Sequence, residues 1–156
     1  MEKNHQNNCC TNKIDVFWDE IIKNSDSNIR AINYLKARGF LIDYISNEWY
    51  VSDNSHGRDI KDLDKILKEN NVGKIDEERK IHILNENNIE NLRGLFEDNY
   101  RIYFESESNE RNYQWFRRRA HGYKIPTMDL EPFIALYIKA LSACGIETWF
   151  SCDGNN

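Results

Sequence analysis

Twelve polar residues, MEKNHQNNCCTN, open the chain, and the apolar positions then begin to recur at helical spacing as Ile14, Phe17, Trp18, Ile21 and Ile22. Residues 1–12 read as a flexible tail and 13–156 as a single domain. A second helix is predicted from about Asn28 to Arg38, with Ser27 as its N-cap and Gly39 just past its end. Phe40 to Ile45 reads as a strand, and Trp49 to Val51 as its hairpin partner across Ser46, Asn47 and Glu48. After a loop, Asp53 to Arg58, a third helix places Ile60, Leu63, Ile66 and Leu67 on one face, with Gly73 beyond its C-terminus.

Lys74 to Lys80 reads as a charged link and Ile81 to Leu84 as a short strand. Asn87 or Asn88 is expected to cap a helix carrying Ile89, Leu92, Leu95 and Phe96. Tyr100 to Glu105 alternates like a strand, and a basic, aromatic helix is predicted over about Glu110 to Ala120. The last helix starts near Asp129, tolerates Pro132 in its first turn, and is apolar nearly all round from Phe133 to Leu141, so it is expected to lie between other elements. Gly145 ends it, and Ile146 to Ser151 reads as a final strand.

Three helix-to-strand junctions share one design: YLKARGFLIDYI, LFEDNYRIYFE and LSACGIETWFS turn at Gly39, Asn99 and Gly145, residues that tolerate positive φ. The predicted fold is α+β, a small, mainly antiparallel sheet covered by about five helices.

Composition changes this picture little. A chain of 156 residues with 40% apolar positions can build its own core. Residues 1–12 lack the apolar middle of a secretion signal and no stretch is long enough to span a bilayer, so a cytoplasmic protein is expected. Cys9, Cys10, Cys144 and Cys152 sit at the two ends, two of them adjacent, and read as reduced thiols. A net charge of −5 argues against a protein that coats nucleic acid over its whole surface, though not against a local basic patch.

One such patch exists. RNYQWFRRRAHGYK carries Arg111, Arg117, Arg118, Arg119, His121 and Lys124, interleaved with Tyr113, Trp115, Phe116 and Tyr123. Guanidinium groups neutralise phosphates and aromatic rings stack on unpaired bases, which suits RNA or single-stranded DNA. The same residue types dominate protein interfaces, which suits an acidic partner protein. An amphipathic helix with buried rings and solvated arginines is the plain structural alternative.

The other chemical candidates are thinner. Cys152 before Asp153-Gly154 sits where a turn would expose it, but a nucleophilic thiol needs a base, and nothing in the spacing brings His56, His82 or His121 near it. His5, Cys9 and Cys10 lie close in sequence without the spacing of a zinc site, so no metal and no cofactor is expected. Asn54 to Arg58 ahead of a helix could offer N–H groups to an anion, but Asp59 and Asp62 in the first turn already complement the helix dipole, and a solvated loop is expected.

The order of basic aromatic stretch, link, helix and strand ending in Thr148, Ser151, Cys152 and Gly154 resembles the wybutosine-synthesis methyltransferase family, which acts on transfer RNA and carries a TTSSCSGR-like strand. Asp153 replaces a serine of that motif and Asn155 its arginine, and the catalytic remainder of the family does not follow. The resemblance therefore implies a remnant or a binding module rather than a methyltransferase. The residues themselves point to a non-enzymatic binding protein that acts on a host protein or nucleoprotein complex, of the kind made as inhibitors by phages and mobile elements. An RNA-binding or RNA-modifying module, using Arg111–Lys124 and the Ser151-Cys152-Asp153-Gly154 turn, is the alternative.

Overall fold

The computed structural model describes residues 26–97 and 126–146. Helix α1 spans Ser27–Arg38, one residue earlier than expected, because the carboxylate of Asp26 rather than Ser27 accepts the N–H of Asn28 at 3.0 Å. Ala31, Ile32, Tyr34 and Leu35 form its buried stripe. Gly39 then takes a φ of 110°; its N–H reaches Lys36 O at 2.9 Å and the N–H of Phe40 reaches Leu35 O at 3.1 Å. These two bonds satisfy carbonyls the helix end would leave orphaned, and they reverse the chain as predicted. A β-carbon on Gly39 would also lie 2.9 Å from the Ala135 side chain.

Strands β1 (Ile42–Ile45) and β2 (Glu48–Val51) form an antiparallel hairpin with Tyr44 opposite Trp49 and Ile45 opposite Glu48. The connection is two residues long, not the three expected. Ser46 and Asn47 both have positive φ, at 51° and 64°, which is the twist a tight hairpin requires.

Helix α2 (Gly57–Glu69) buries Leu63, Ile66 and Leu67, as its pattern predicts. Gly73 lies beyond its end, as expected, but does not cap it. Asn71, at φ 54°, takes the left-handed position, donating to Lys68 O at 3.0 Å while Val72 donates to Leu67 O at 2.9 Å. Gly73 instead starts strand β3 (Gly73–Ile75), which pairs antiparallel with β4 (Ile81–Ile83), so part of the expected charged link is a strand. The two hairpins meet at a single bridge between Tyr50 and Lys80 and a bond from Val51 N–H to Arg79 O at 2.9 Å. The result is two small two-stranded sheets side by side rather than one.

The expected helix at Ile89 to Phe96 is a 3₁₀ run, Glu86–Phe96, capped by the Asn85 side chain rather than by Asn87 or Asn88. Ile89, Leu92 and Leu95, spaced by three, are all buried, as a helix of three residues per turn demands. A short 3₁₀ turn, Thr127–Asp129, precedes helix α3 (Ala135–Ala143), and Pro132 lies in the turn before α3 rather than within its first turn. The main core joins α1, α2, the 3₁₀ run and the inner sides of the strands, and Leu130, Ala135 and Ile138 form a smaller cluster.

The fold is thus α+β with small antiparallel sheets. Among the described residues it has four helical elements besides the short turn, against about five expected. The predicted helices at Ile14–Ile22 and Glu110–Ala120, the strand Tyr100–Glu105, the turn at Asn99 and the strand beyond Ile146 lie outside those residues. No helix among the described residues is long and apolar enough to cross a membrane.

Candidate functional site

The residues singled out from the sequence, Arg111, Tyr113, Trp115, Phe116, Arg117, Arg118, Arg119, His121, Tyr123, Lys124 and Cys152, all lie outside the described residues. So do Thr148, Ser151 and Gly154, which carry the methyltransferase resemblance. Of the histidines weighed as partners for Cys152, His56 caps α2 by accepting the Arg58 N–H on Nδ1 at 3.1 Å. His82 is paired with Asp76, Nε2 to Oδ2, at 2.7 Å. Among the described residues no three His, Cys, Asp or Glu side chains gather as a metal site would require.

Sequence reasoning missed a buried polar centre. Asp59, on the first turn of α2, is fully buried. Its carboxylate accepts the Thr127 N–H at 2.6 Å, the Thr127 hydroxyl at 2.8 Å and the Lys139 ammonium at 3.0 Å. Lys139 is itself 0% exposed, and burial pulls its pKa down against the pull of Asp59. Beside it the Arg38 guanidinium donates to three backbone carbonyls: Leu95 at 3.1 Å, Thr127 at 3.2 Å and Leu130 at 2.9 Å. Burial lowers its pKa to about 10, with Asp59 and Asp129 opposing.

Arg58 completes the group by binding both Asp62 and Asp129. Burial lowers its affinity for the proton, but Asp129 and Asp62 more than offset this and its pKa is raised. Burial raises Asp62 despite Arg58. Three cations, Arg38, Arg58 and Lys139, thus face three carboxylates, Asp59, Asp62 and Asp129. Opposite charges in equal number, each hydrogen-bonded, are what low-dielectric burial requires. The group therefore works as a clamp joining α1, α2, the Thr127–Leu130 segment and α3. Asp59 stands in the first turn of α2 after a largely exposed loop, as expected, whereas Asp62 does not, and both carboxylates are turned into the structure and paired there. A signal existed, because Asp59 falls on the α2 stripe four residues before Leu63 and seven before Ile66.

A second polar group lies on the outer face of the strands. Glu48 accepts from the Tyr50 hydroxyl at 2.9 Å and pairs with Lys80, and the Lys80 and Tyr50 bonds hold its pKa down. Asp76 accepts from His82 and from the N–H groups of Glu78 at 3.0 Å and Lys80 at 2.9 Å, so its pKa is also lowered, with His82 the largest cause. These bonds hold the turn between β3 and β4.

Among the described residues several large apolar and aromatic side chains are exposed. The β1–β2 hairpin overshoots the core, so Tyr44 is 57% exposed and Ile45 54% exposed at its tip. Tyr44 packs on Trp49, ring centroids 4.3 Å apart, and the Lys36 ammonium of α1 sits 5.3 Å from the Trp49 ring. The hairpin and the cation hold this aromatic pair in place. Compared with known proteins, the chain matches no family model, no curated sequence and no solved structure.

Proposed function

We propose that the protein is a non-enzymatic binding protein whose partner is another protein or a nucleoprotein complex. The observation that carries this reading is the exposed Tyr44 ring packed on the partly buried Trp49 ring near a hairpin tip, with the Lys36 ammonium beside Trp49. Aromatic side chains held in one conformation lose little entropy on binding and are the residue types that anchor protein interfaces. The buried polar residues support the same reading, since their charges are committed to one another. The basic, aromatic Arg111–Lys124 segment supplies further residues of the anchoring kinds.

Affinity purification of the tagged protein from its native host, with and without nuclease, tests the proposal. The expected result is a protein partner that survives nuclease and binds at least about thirtyfold more weakly after Tyr44→Ala, the loss typical of an interface anchor. Recovery of RNA alone, abolished by nuclease and weakened by Arg117, Arg118 and Arg119→Ala, would overturn it in favour of an RNA-binding module.

A further inference from the structure

Across the two hairpins the strands lie in the order β1, β2, β4, β3, with β2 and β4 joined at the Tyr50–Lys80 bridge. This row has two outer edges, and they are finished differently. On β3, the Asp76 N–H donates to Lys80 O at 3.1 Å, so the N–H of Ile75, one residue earlier, points away from β4. It donates instead to Asp64 Oδ1 of α2 at 2.9 Å. A side chain thus closes that edge to further pairing.

No such closure is found at β1 among the described residues. The Val51 N–H is directed to Arg79 O, on the β4 side. Its cross-strand partner Ile42 therefore directs its own N–H and C=O outward, and so does Tyr44 two residues on. Ile42 is buried, whereas Asp43, Tyr44 and Ile45 are exposed, so Tyr44 is the reachable donor and acceptor. Outward N–H and C=O groups on a strand select an extended backbone as their ligand.

We propose that the β1 edge receives an extended segment of the partner protein, bonded to the Tyr44 N–H and C=O, apolar beside the Tyr44 ring and basic where it passes Asp43. Alternation along β1 puts the Asp43 carboxylate on the opposite face from the Tyr44 ring, exposed and with no cation of the described residues paired to it. A second copy of the chain fits this edge poorly. Paired about Asp43 it would set two carboxylates face to face. Paired about Tyr44 it would next need Ser46, whose φ of 51° takes it out of the extended strand. The inference rests on the proposed function and gives its partner a conformation and a charge.

The test uses the full chain and the nuclease-resistant partner recovered with it. The α-hydroxy acid analogue of tyrosine, placed at position 44, replaces the outward N–H by an ester oxygen and keeps the ring. The ester form is expected to bind at least about fivefold more weakly, the worth of one hydrogen bond. Asp43→Lys is expected to weaken binding about tenfold. Hydrogen exchange at the Tyr44 amide should slow at least about tenfold on complex formation, while the Asp43 and Ile45 amides, bonded across the hairpin, report that the strand is intact in every form. A partner that needs the Tyr44 ring, yet binds the ester form as tightly and leaves the Tyr44 amide fast, would overturn this inference and leave the proposed function standing. Binding indifferent to Asp43→Lys would also overturn it, as would protection of the Tyr44 amide that appears in the protein alone as its concentration rises, which would assign the edge to a second copy. Recovery of no nuclease-resistant protein would overturn the proposed function and this inference together.

Discussion

Asp59 and Lys139 lie eighty residues apart, and each is a charged residue buried on a largely apolar helix surface. An unpaired acid and an unpaired base are each expensive to bury, which is the reason they meet. Breaking such a pair from one side leaves an uncompensated buried charge. Lys139→Met is therefore expected to cost about 3–5 kcal/mol in urea denaturation. Asp59→Asn combined with Lys139→Met should recover most of that loss, because an amide keeps partners for both Thr127 groups without carrying a charge. A single substitution costing under about 1 kcal/mol would show that the pair is not buried as described. The stripe positions were readable along the chain, but the pairing was not. Nothing local connects α2 to α3, and the Asp59 position is equally good for complementing a helix dipole.

Local signals read well where they named a mechanism and poorly where they named a residue type. The left-handed glycine after α1 is where the pattern puts it. After α2, asparagine fills that place and Gly73 answers a different need: a β-carbon there would lie 1.9 Å from the carbonyl oxygen of His82. Gly73→Ala is accordingly expected to cost about 1–3 kcal/mol, at the upper end because backbone rather than a flexible side chain is in the way, with loss of β3–β4 amide protection in hydrogen exchange. The apolar residues of the 3₁₀ run repeat every three positions, a period that was visible and was read as α-helical because the two patterns overlap over so short a stretch.

The β3–β4 turn should also sense acid. Asp76 has its pKa lowered below the ordinary 3.8, chiefly by His82, so its ionised form stabilises the fold above that value and the contribution is lost as pH falls through the folded pKa. Stability measured against pH should show Asp76→Asn weaker than the natural protein near neutrality, with the gap closing in acid. A gap independent of pH would mean that the carboxylate charge is not what holds the turn.

Across the whole molecule, Arg38 reaches furthest. From the last turn of α1 it binds the end of the 3₁₀ run at Leu95 and the Thr127–Leu130 segment at two carbonyls. Arg38→Met should destabilise by about 3 kcal/mol, since it withdraws a donor from three buried carbonyls, and Arg38→Lys should restore only part, because an ammonium lacks the planar fork that spans them. Thermal unfolding of both variants checks the order. α+β class, the larger helices and one hairpin were legible from periodicity. The split into two sheets and the clamp were not, because both depend on neighbours distant in the chain.

That one guanidinium holds positions 95 and 127 together bears on how the chain can change over generations. Whatever lies between Glu97 and Pro126 starts and finishes at anchored points. A change at position 38 therefore loosens both of those points at once, and Arg38 should stay put among descendants of this sequence while exposed positions vary.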